Sequence, residues 1–321
     1  MVSRLMPAIE AMNLVFCGTP DFAVPTLRRL AECFSVKLVV TQPDRPSGRG
    51  MEVIATPVKR LAQELGIPVT QPLTIKNNKD FRAQLEAVKP EAIVVVAYGR
   101  IIPQWMIDLP RLGNVNAHAS LLPKYRGAAP IQWAVANGES VTGITTMKID
   151  AGLDTGPMLL RRQTAILPDE TAITLTARLA GLAAELIVAT LRGLNAGSIV
   201  PQPQDDSVAT LAPLLKKEDG VIDFSRSARE IYNRFRGFQP WPGAYTSFRG
   251  KNVRIAAMKP AENHLQLAPG EVAAERDRVL IGCGEATAIE VLEVQPESRK
   301  AISAGEFVRG ARIQARDRFG S

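Results

Sequence analysis

Cysteine and histidine are scarce in this chain of 321 residues. The three cysteines, Cys17, Cys33 and Cys283, are too few and too scattered for a disulfide framework, and none belongs to a Cys-x-x-Cys pair that would suggest zinc. No apolar run reaches the roughly 18 residues that a membrane-spanning helix needs, and residues 1–12 lack the apolar stretch of a secretion signal. We therefore expect a reduced, cytoplasmic protein with no membrane partner.

The composition excludes a disordered or fibrous chain. Hydrophobic residues make up 46% and charged residues 22%, the balance of an ordinary globular protein. The length favours two domains over one. A net charge of +7 is compatible with a polyanionic partner such as nucleic acid, and both halves of the chain are mildly basic, so there is no separate cationic tail.

The first half of the chain alternates between strand and helix patterns. Strands are predicted over 13–17, 36–41, 67–70 and 92–97, with helices over 22–30, 57–66 and 78–87. Hairpin-like segments follow near 142–150 and 158–167, and a long helix over 171–194 closes the domain. This alternation predicts a doubly wound α/β domain with a parallel sheet.

The second half has a different pattern. One helix, predicted over 227–238, is followed by short strand-like runs separated by turn-formers, which favours a small β-barrel. The expected organisation is an N-terminal extension over 1–12, an α/β domain over 13–194, a linker rich in Pro, Gly, Gln and Asp over 195–217, and a barrel over 218–321.

Glycine-rich phosphate loops are absent from the expected places. The turn at Gly18-Thr19-Pro20 keeps one of the three glycines of a dinucleotide-binding loop, which argues against a nicotinamide cofactor. It is either a tight turn that starts a helix or a helix N-terminus facing an anionic group.

Asn116 and His118 give the strongest local indication of chemistry. If they end a strand, their side chains point to the same side, where a carboxamide and an imidazole suit a developing oxyanion. A histidine buried in the core is the alternative, but only two histidines exist and His118 lies among small residues. A carboxylate near His118 would favour its charged form and fix its orientation. Asp150 and Asp154 are both candidates, and spacing alone does not choose between them or exclude turn roles.

Basic residues mark two further regions. Arg45 and Arg49 lie in a Pro- and Gly-rich loop over 42–53, either as phosphate contacts or as a solvated surface. In the second domain, arginines and lysines alternate with aromatic residues between 226 and 254. That pattern is compatible with nucleic-acid contact or with a core.

Six segments resemble those of a known family. They are FCGTPDFAVPTL, TQPDRPSGRG, VVVAYGRIIP, SLLPKYRGAAPIQWAVANGE, TGITTMKIDAGLDTGPML and LKKEDGVIDFSRSAREIYNRFRGFQPWPGAY. From about Asn13 to Gln314 the chain resembles the methionyl-tRNA formyltransferase family. The departures are Cys17, where a smaller residue is usual, and residues 1–12, which precede the usual start.

The resemblance implies a fold, a reaction and a set of site residues. The fold would be a Rossmann-like formyltransferase domain followed by a small OB-like β-barrel that binds tRNA. The reaction would move a formyl group from 10-formyltetrahydrofolate to methionyl initiator tRNA, without a metal and in a monomer. The family's catalytic residues fall on Asn116, His118 and Asp154, its folate-binding segment on Ser120, Leu121, Leu122 and Pro123, and its tRNA-binding loop on Arg45 and Arg49.

Two alternatives stay open. A formyltransferase acting on a small amine, such as a sugar nucleotide or glycinamide ribonucleotide, would need the three catalytic residues but not the basic loop or the second domain. An RNA-binding protein with an inactive folate scaffold would bind RNA without transferring a formyl group.

Overall fold

The computed structural model describes residues 10–47, 52–275, 278–314 and 317–320. They form two compact units. The first comprises the residues up to Gly127 with Val141–Ala165 and Thr176–Ala212, and the second comprises Ala128–Ser140, Ile166–Leu175 and the residues from Pro213 onward. Most of the predicted N-terminal extension lies outside the described residues, and the domain boundaries stay a prediction.

A seven-stranded sheet forms the centre of the first unit. Its strands are β1 (Glu10–Gly18), β2 (Phe34–Val40), β5 (Val69–Thr70), β6 (Ala92–Val96), β7 (Asn114–His118), β8 (Val141–Lys148) and β9 (Met158–Ala165). They lie in the order β5-β2-β1-β6-β7-β8-β9, parallel as far as β7 and antiparallel from β7 to β9. The predicted parallel α/β sheet and the hairpin after it are confirmed.

Helices cover both faces of this sheet. They are α1 (Val24–Cys33), α2 (Pro57–Glu64), α3 (Lys79–Val88), α4 (Gln104–Ile107) and α6 (Ala172–Asn195). Val15 and Val95 point to the face on which Phe81 of α3 and Met106 of α4 are buried. On the opposite face, the hydroxyl of Thr146 in β8 meets that of Thr190 in α6 at 2.8 Å. The sheet is therefore doubly wound, as the alternating pattern predicts.

Local signals account for several of these boundaries. The Thr56 hydroxyl accepts the backbone N–H of Lys59 at 3.2 Å and Pro57 is the first helical residue, so α2 begins where its cap predicts. Asn78 caps α3 in the same way through the N–H of Phe81. All five residues of β6 are buried, which explains its continuous apolar run.

Helix α6 satisfies the length and composition of a membrane-spanning helix. Half of its most apolar window is buried within the protein, as in the core helix of a globular fold.

The second unit contains a mainly antiparallel sheet. Its elements are α5 (Pro130–Ala136), α7 (Ala228–Gly237), β10 (Ala244–Phe248), β11 (Lys251–Glu262), β12 (Val272–Glu275), β13 (Arg278–Gly282), β14 (Thr287–Pro296), β15 (Ile302–Ser303) and α8 (Ala304–Ala311). The strand order is β10-β11-β14-β13-β12, with β15 beside β14. Two single bridges join Phe319 to Phe248 and Arg318 to Glu271.

The structure contains several elements that the sequence patterns did not predict, among them helix α4, helices α5 and α8 and one hairpin. Helix α5 is short, and it buries Ile131, Ala134 and Val135, so packing decides it more than propensity. Helix α8 begins with a capping box between Ser303 and Glu306, which the sequence contains. Two glycines within the helix lower its helix propensity, so the sequence pattern did not predict it. The hairpin, β3 (Arg45–Ser47) paired with β4 (Glu52–Ile54), lies within the region predicted as an exposed loop.

Candidate active site

Strand β7 brings two of the predicted site residues to one face. Asn116 pairs with Val95 and Met147, and His118 pairs with Thr145, so both side chains lie on the α3 and α4 side of the sheet. His118 is the last residue of the strand. Asn116 and His118 therefore share a face near the carboxyl end of β7, as their spacing predicts.

The carboxamide of Asn116 is available to a ligand. Asn116 is half-buried. Its side chain makes no hydrogen bond to any described residue. Asn114, two residues earlier on the same face, has a different role. Its side chain donates to the carbonyls of Met106 and Ile107 at 2.8 and 3.0 Å, which ties β7 to α4.

The imidazole of His118 is held at one nitrogen and faces a carboxylate with the other. Nε2 lies 2.8 Å from the carbonyl oxygen of Tyr125, and because a carbonyl can only accept, Nε2 carries the proton. Nδ1 lies 3.6 Å from Oδ2 of Asp154. That separation is just beyond a direct hydrogen bond. The side chain of His118 is only 6% exposed, so this pair interacts with little solvent screening.

Asp154 is positioned through its backbone as well as its side chain. Its φ of +53° lies in the left-handed region, which costs a non-glycine residue about 1 kcal/mol or more. Oδ2 accepts the N–H of Gly127 at 2.9 Å, and the carbonyl oxygen of Asp154 accepts from Nε2 of Gln204 at 2.8 Å.

Asp150 has another role. Its carboxylate accepts from the N–H of Gly152 and the hydroxyl of Thr155, at 3.1 and 2.9 Å, within its own turn. Of the two aspartates that spacing leaves open, Asp154 is therefore the one beside His118.

The four residues of the predicted folate segment divide into two pairs. Ser120 and Leu122 are fully buried, while Leu121 and Pro123 are partly exposed. The hydroxyl of Thr145 donates to the carbonyl of Ser120 at 2.7 Å and accepts from the N–H of Leu122 at 3.1 Å, so β8 fixes the backbone of this segment. Leu121 and Pro123 are the members that a ligand can reach.

Arg45 is exposed on β3, next to Asp44, which is held by neighbouring side chains. Its guanidinium donates to Oε1 of Gln42 at 3.1 Å. Asp44 beside it pairs with Lys59 and accepts from Gln71 at 2.7 Å. The pKa of Asp44 is lowered, chiefly by the hydrogen bond from Lys59, so the Asp44 carboxylate is charged at neutral pH. Arg49, the second predicted residue of this loop, lies outside the described residues.

Two arginines of helix α7, Arg234 and Arg236, are partly or fully buried, whereas Arg229 is exposed. Arg236 is 4% exposed and donates to the carbonyl of Glu170 at 2.6 Å, while Arg234 lies over the ring of Phe238. Burial lowers the pKa of both guanidinium groups. The core alternative concerned the aromatic residues of this region, and Tyr232 and Phe238 are buried.

Two family models match the chain. The formyl transferase family matches residues 12–191, and the formyl transferase C-terminal domain matches residues 214–312. The chain belongs to the formyl transferase family. Among the described residues, no group of three His, Cys, Asp or Glu side chains could hold a metal ion.

Relatives of high identity match nearly the whole length of this formyl transferase. It is 59% identical over 96% of its length to a methionyl-tRNA formyltransferase of Koribacter versatilis, covering 99% of that protein. It is 58% identical over 97% of its length to one of Acidobacterium capsulatum, covering 100% of that protein.

Solved structures share the fold at low identity. An N-formyltransferase from Helicobacter canadensis, solved with folinic acid and dTDP-3-aminofucose, is 16% identical with a TM-score of 0.64, covering 89% of this chain and 100% of that one. HypX from Aquifex aeolicus, solved with tetrahydrofolic acid, is 18% identical with a TM-score of 0.60. This match covers 93% of our chain but 47% of HypX, so the chain spans about half of HypX.

Sequence reasoning missed the groups that hold the site of this formyl transferase together. The carbonyl of Tyr125, the N–H of Gly127 and the side chain of Gln204 contact His118 or Asp154. Two of these are backbone atoms, which no side-chain pattern reveals. The structure explains why position 127 is a glycine, since its φ is +121° and a Cβ there would lie 2.7 Å from the carbonyl oxygen of Ala212.

Proposed function

We propose that this chain transfers the formyl group of 10-formyltetrahydrofolate to the free α-amino group of methionyl initiator tRNA, for translation initiation. The observation that carries the proposal is the identity of 59% over 96% of the chain to a relative named methionyl-tRNA formyltransferase. The relative's match spans both the α/β unit and the C-terminal unit, so the likeness includes more than the shared catalytic domain.

The polar side chains at the end of β7 suit a formyl donor. The carboxamide of Asn116 is a hydrogen-bond donor without a partner among the described residues, and it points to the same side as His118. A formyl oxygen is an acceptor that such a donor can bind. Leu121 and Pro123 offer accessible apolar surface to the folate, and Ser120 and Leu122 hold the backbone of that segment. When bound, the folate supplies the formyl group as an amide-like N–CHO.

Three side chains divide the work of transfer. The α-amine nitrogen forms a bond to the formyl carbon, and the bond from that carbon to the folate nitrogen breaks. Negative charge develops on the formyl oxygen, which the N–H of Asn116 and the charged imidazolium of His118 stabilise. Asp154 stabilises the imidazolium, since its Oδ2 lies 3.6 Å from Nδ1.

Proton transfer uses Nδ1 of His118, the ring nitrogen that is not bonded to the Tyr125 carbonyl. Nε2 is committed to the carbonyl of Tyr125, so Nδ1 and the Asp154 carboxylate are the groups that exchange protons. The attacking amine loses one proton, and the departing folate nitrogen gains one. Nδ1 and Oδ2 lie 3.6 Å apart in the free protein, and catalytic hydrogen bonds that are long without substrate commonly tighten when it binds.

The tRNA is bound by the hairpin loop and the C-terminal unit. Arg45, exposed above the Asp44 anchor, and Arg49 contact the acceptor end. The C-terminal domain of our proposal, residues 218–321, is a small OB-like barrel. Residues 317–320 support closure of this barrel, since they bridge to β10 at Phe248 and to the start of β12 at Glu271.

Residues 13–194 form the catalytic domain and 195–217 the linker. The enzyme acts in the cytoplasm as a monomer, without a membrane partner.

The acceptor preference tests this function directly. Purified protein is incubated with 10-formyltetrahydrofolate and either methionyl initiator tRNA, glycinamide ribonucleotide or dTDP-3-aminofucose, and formylated product is identified by mass. Product on the tRNA supports the proposal. Product on a small amine alone would assign the same site to a different substrate, and no product with any acceptor would leave an RNA-binding protein.

A further inference from the structure

A segment with the composition of a surface linker reaches the candidate active site. Residues 202–212, here called the 202–212 segment, run along the first unit. Gln202 exchanges two backbone hydrogen bonds of 2.8 Å with Met158. Further along, the hydroxyl of Thr210 accepts the N–H of Tyr125 at 2.9 Å, and the N–H of Ala212 donates to the carbonyl of Arg126 at 2.7 Å. The segment is thus bonded to both stretches that carry partners of His118 and Asp154.

Gln204 joins those two stretches through its side chain alone. Its Oε1 accepts from Nε and Nη2 of Arg126, at 3.0 and 2.8 Å. Its Nε2 donates to the carbonyl oxygens of Asp154 and Gly156, both at 2.8 Å. The donors and acceptors allow one orientation only, because a guanidinium can only donate and a carbonyl can only accept.

Arg126 fixes the other end of this connection. Its side chain is 8% exposed and also pairs with Asp206 at 2.7 Å. It lies between Tyr125, whose carbonyl accepts from His118, and Gly127, whose N–H donates to Asp154. Displacing Arg126 would therefore disturb both partners at once.

We propose that Gln204 is a positioning residue of the active site, which holds the left-handed backbone at Asp154 and couples it to the Tyr125–Gly127 stretch, and so sets the distance between Nδ1 of His118 and Oδ2 of Asp154. This inference rests on the proposed function for its kinetic readout. The geometric part stands on the hydrogen bonds alone. Gln204 touches neither ring nor carboxylate and acts through the groups that do.

Gln204→Glu keeps the hydrogen bonds from Arg126 and removes those to Asp154 and Gly156. Glutamate still accepts from Arg126, but it has no N–H for the carbonyls of Asp154 and Gly156 and faces them with negative charge. We expect kcat to fall about 10- to 100-fold, because small misplacements of reacting groups carry that cost. The KM values for tRNA and folate should change less than about threefold, since binding groups are untouched. Gln202→Glu is the matched control, two residues earlier, exposed and with no side-chain hydrogen bond to a described residue; it should retain parental kcat.

A spectroscopic readout follows His118 without substrate. The chain has two histidines, so ring nitrogen NMR signals of ¹⁵N-histidine-labelled protein are assigned with His264→Gln. Gln204→Glu should shift the His118 signals, and Gln202→Glu should not. Parental kcat together with unmoved His118 signals would overturn the proposal. If the parent protein does not formylate tRNA, the proposed function fails, while the ring signals still decide the positioning role.

Two further measurements cover a variant that does not fold. Gln204→Met removes both hydrogen-bonding halves without adding charge, and the same shift of the His118 signals is expected. In the parent protein, the carboxamide protons of Gln204 should exchange slowly with solvent, because both are donated to carbonyls. Rapid exchange of these protons would overturn the proposal whatever the variants do.

Discussion

At the scale of single residues, His118 is defined by what each ring nitrogen meets. Nε2 donates to a backbone carbonyl that no mutation of a side chain removes, and Nδ1 faces Asp154. The ring is thereby oriented by the Tyr125 carbonyl, and its other nitrogen faces the carboxylate of Asp154. This is the arrangement expected of an imidazole that stabilises negative charge beside it.

Removing the imidazole should remove most of the catalysis. We expect His118→Ala to lower kcat about 100- to 10,000-fold, because both electrostatic stabilisation and proton transfer are lost. The measurement is the formylation rate at saturating tRNA and folate, with His264→Ala as the control that leaves the rate unchanged. A His118→Ala enzyme with nearly parental kcat would contradict the assignment.

The charge of Asp154 should matter more than its shape. Asp154→Asn keeps an oxygen for the N–H of Gly127 but loses the negative charge that faces Nδ1. We expect kcat to fall roughly 100-fold with little change in thermal stability. Asp150→Asn is the matched control, since the carboxylate of Asp150 accepts hydrogen bonds from Gly152 and Thr155 within its own turn, and its rate should stay within about threefold of the parent. Equal effects of the two substitutions would argue against the role of Asp154.

Residue patterns predicted part of this site. The spacing of Asn116 and His118 placed both side chains on one face, because strand residues two apart share a side. Spacing did not select Asp154, since the choice depends on how the turn over 150–156 folds back. The partners of His118 and Asp154 were out of reach, because they are backbone groups and a glutamine distant in sequence.

At the scale of elements, the first strand of the β3–β4 hairpin is tied to neighbouring parts of the first unit. Asp44, Lys59 and Gln71 tie its first strand to the sheet unit, while Arg45 stays exposed. The sequence predicted exposure correctly but not the strands, because each has three residues and one contains proline.

The hairpin arginines should act on tRNA and not on folate. We expect Arg45→Ala and Arg49→Ala each to raise the KM for methionyl initiator tRNA about 3- to 10-fold, to reduce the salt dependence of tRNA binding, and to leave the KM for folate unchanged. Arg82→Ala, on the exposed side of α3, is the control for loss of a surface charge. Parental tRNA kinetics for both hairpin variants would contradict the role of this loop.

Three strands of the C-terminal sheet share one ionic group. Glu290 on β14 pairs with Arg278 on β13 at 2.7 Å and with Lys259 on β11 at 3.5 Å, with 9% of its side chain exposed. The hydrogen bond from Arg278 is the first cause that lowers the pKa of Glu290 below its ordinary value of 4.5. A lowered pKa means that this stabilisation is present above pH 4.5 and is lost as the pH falls through the lower value of the folded protein.

Stability against pH should therefore reveal the Glu290 pairs. At pH 7 we expect Glu290→Gln to lower the free energy of unfolding by about 1 to 2 kcal/mol, and the difference should shrink as the pH falls below 4.5. Denaturant titrations of both proteins across this range measure it. Glu293→Gln, exposed on the same strand, is the control. A difference that does not change with pH would contradict the ionic role.

At the scale of the whole molecule, the alternating strand and helix pattern predicted the order and type of most elements in the first unit. That pattern is strong because strands such as β6 are buried on both sides. The second unit was harder, since its strands pair with distant partners and the bridges made by Phe319 and Arg318 depend on the far end of the chain. Short helices such as α5 are decided by packing, which no local pattern contains.

The kcat/KM for methionyl initiator tRNA relative to that for dTDP-3-aminofucose, both with 10-formyltetrahydrofolate, tests the central claim most directly. Recognition by the hairpin and the C-terminal unit predicts a ratio of about 1,000 or more in favour of the tRNA, because only the tRNA reaches groups beyond Asn116, His118 and Asp154. A ratio near one, or a preference for the amino sugar, would contradict it.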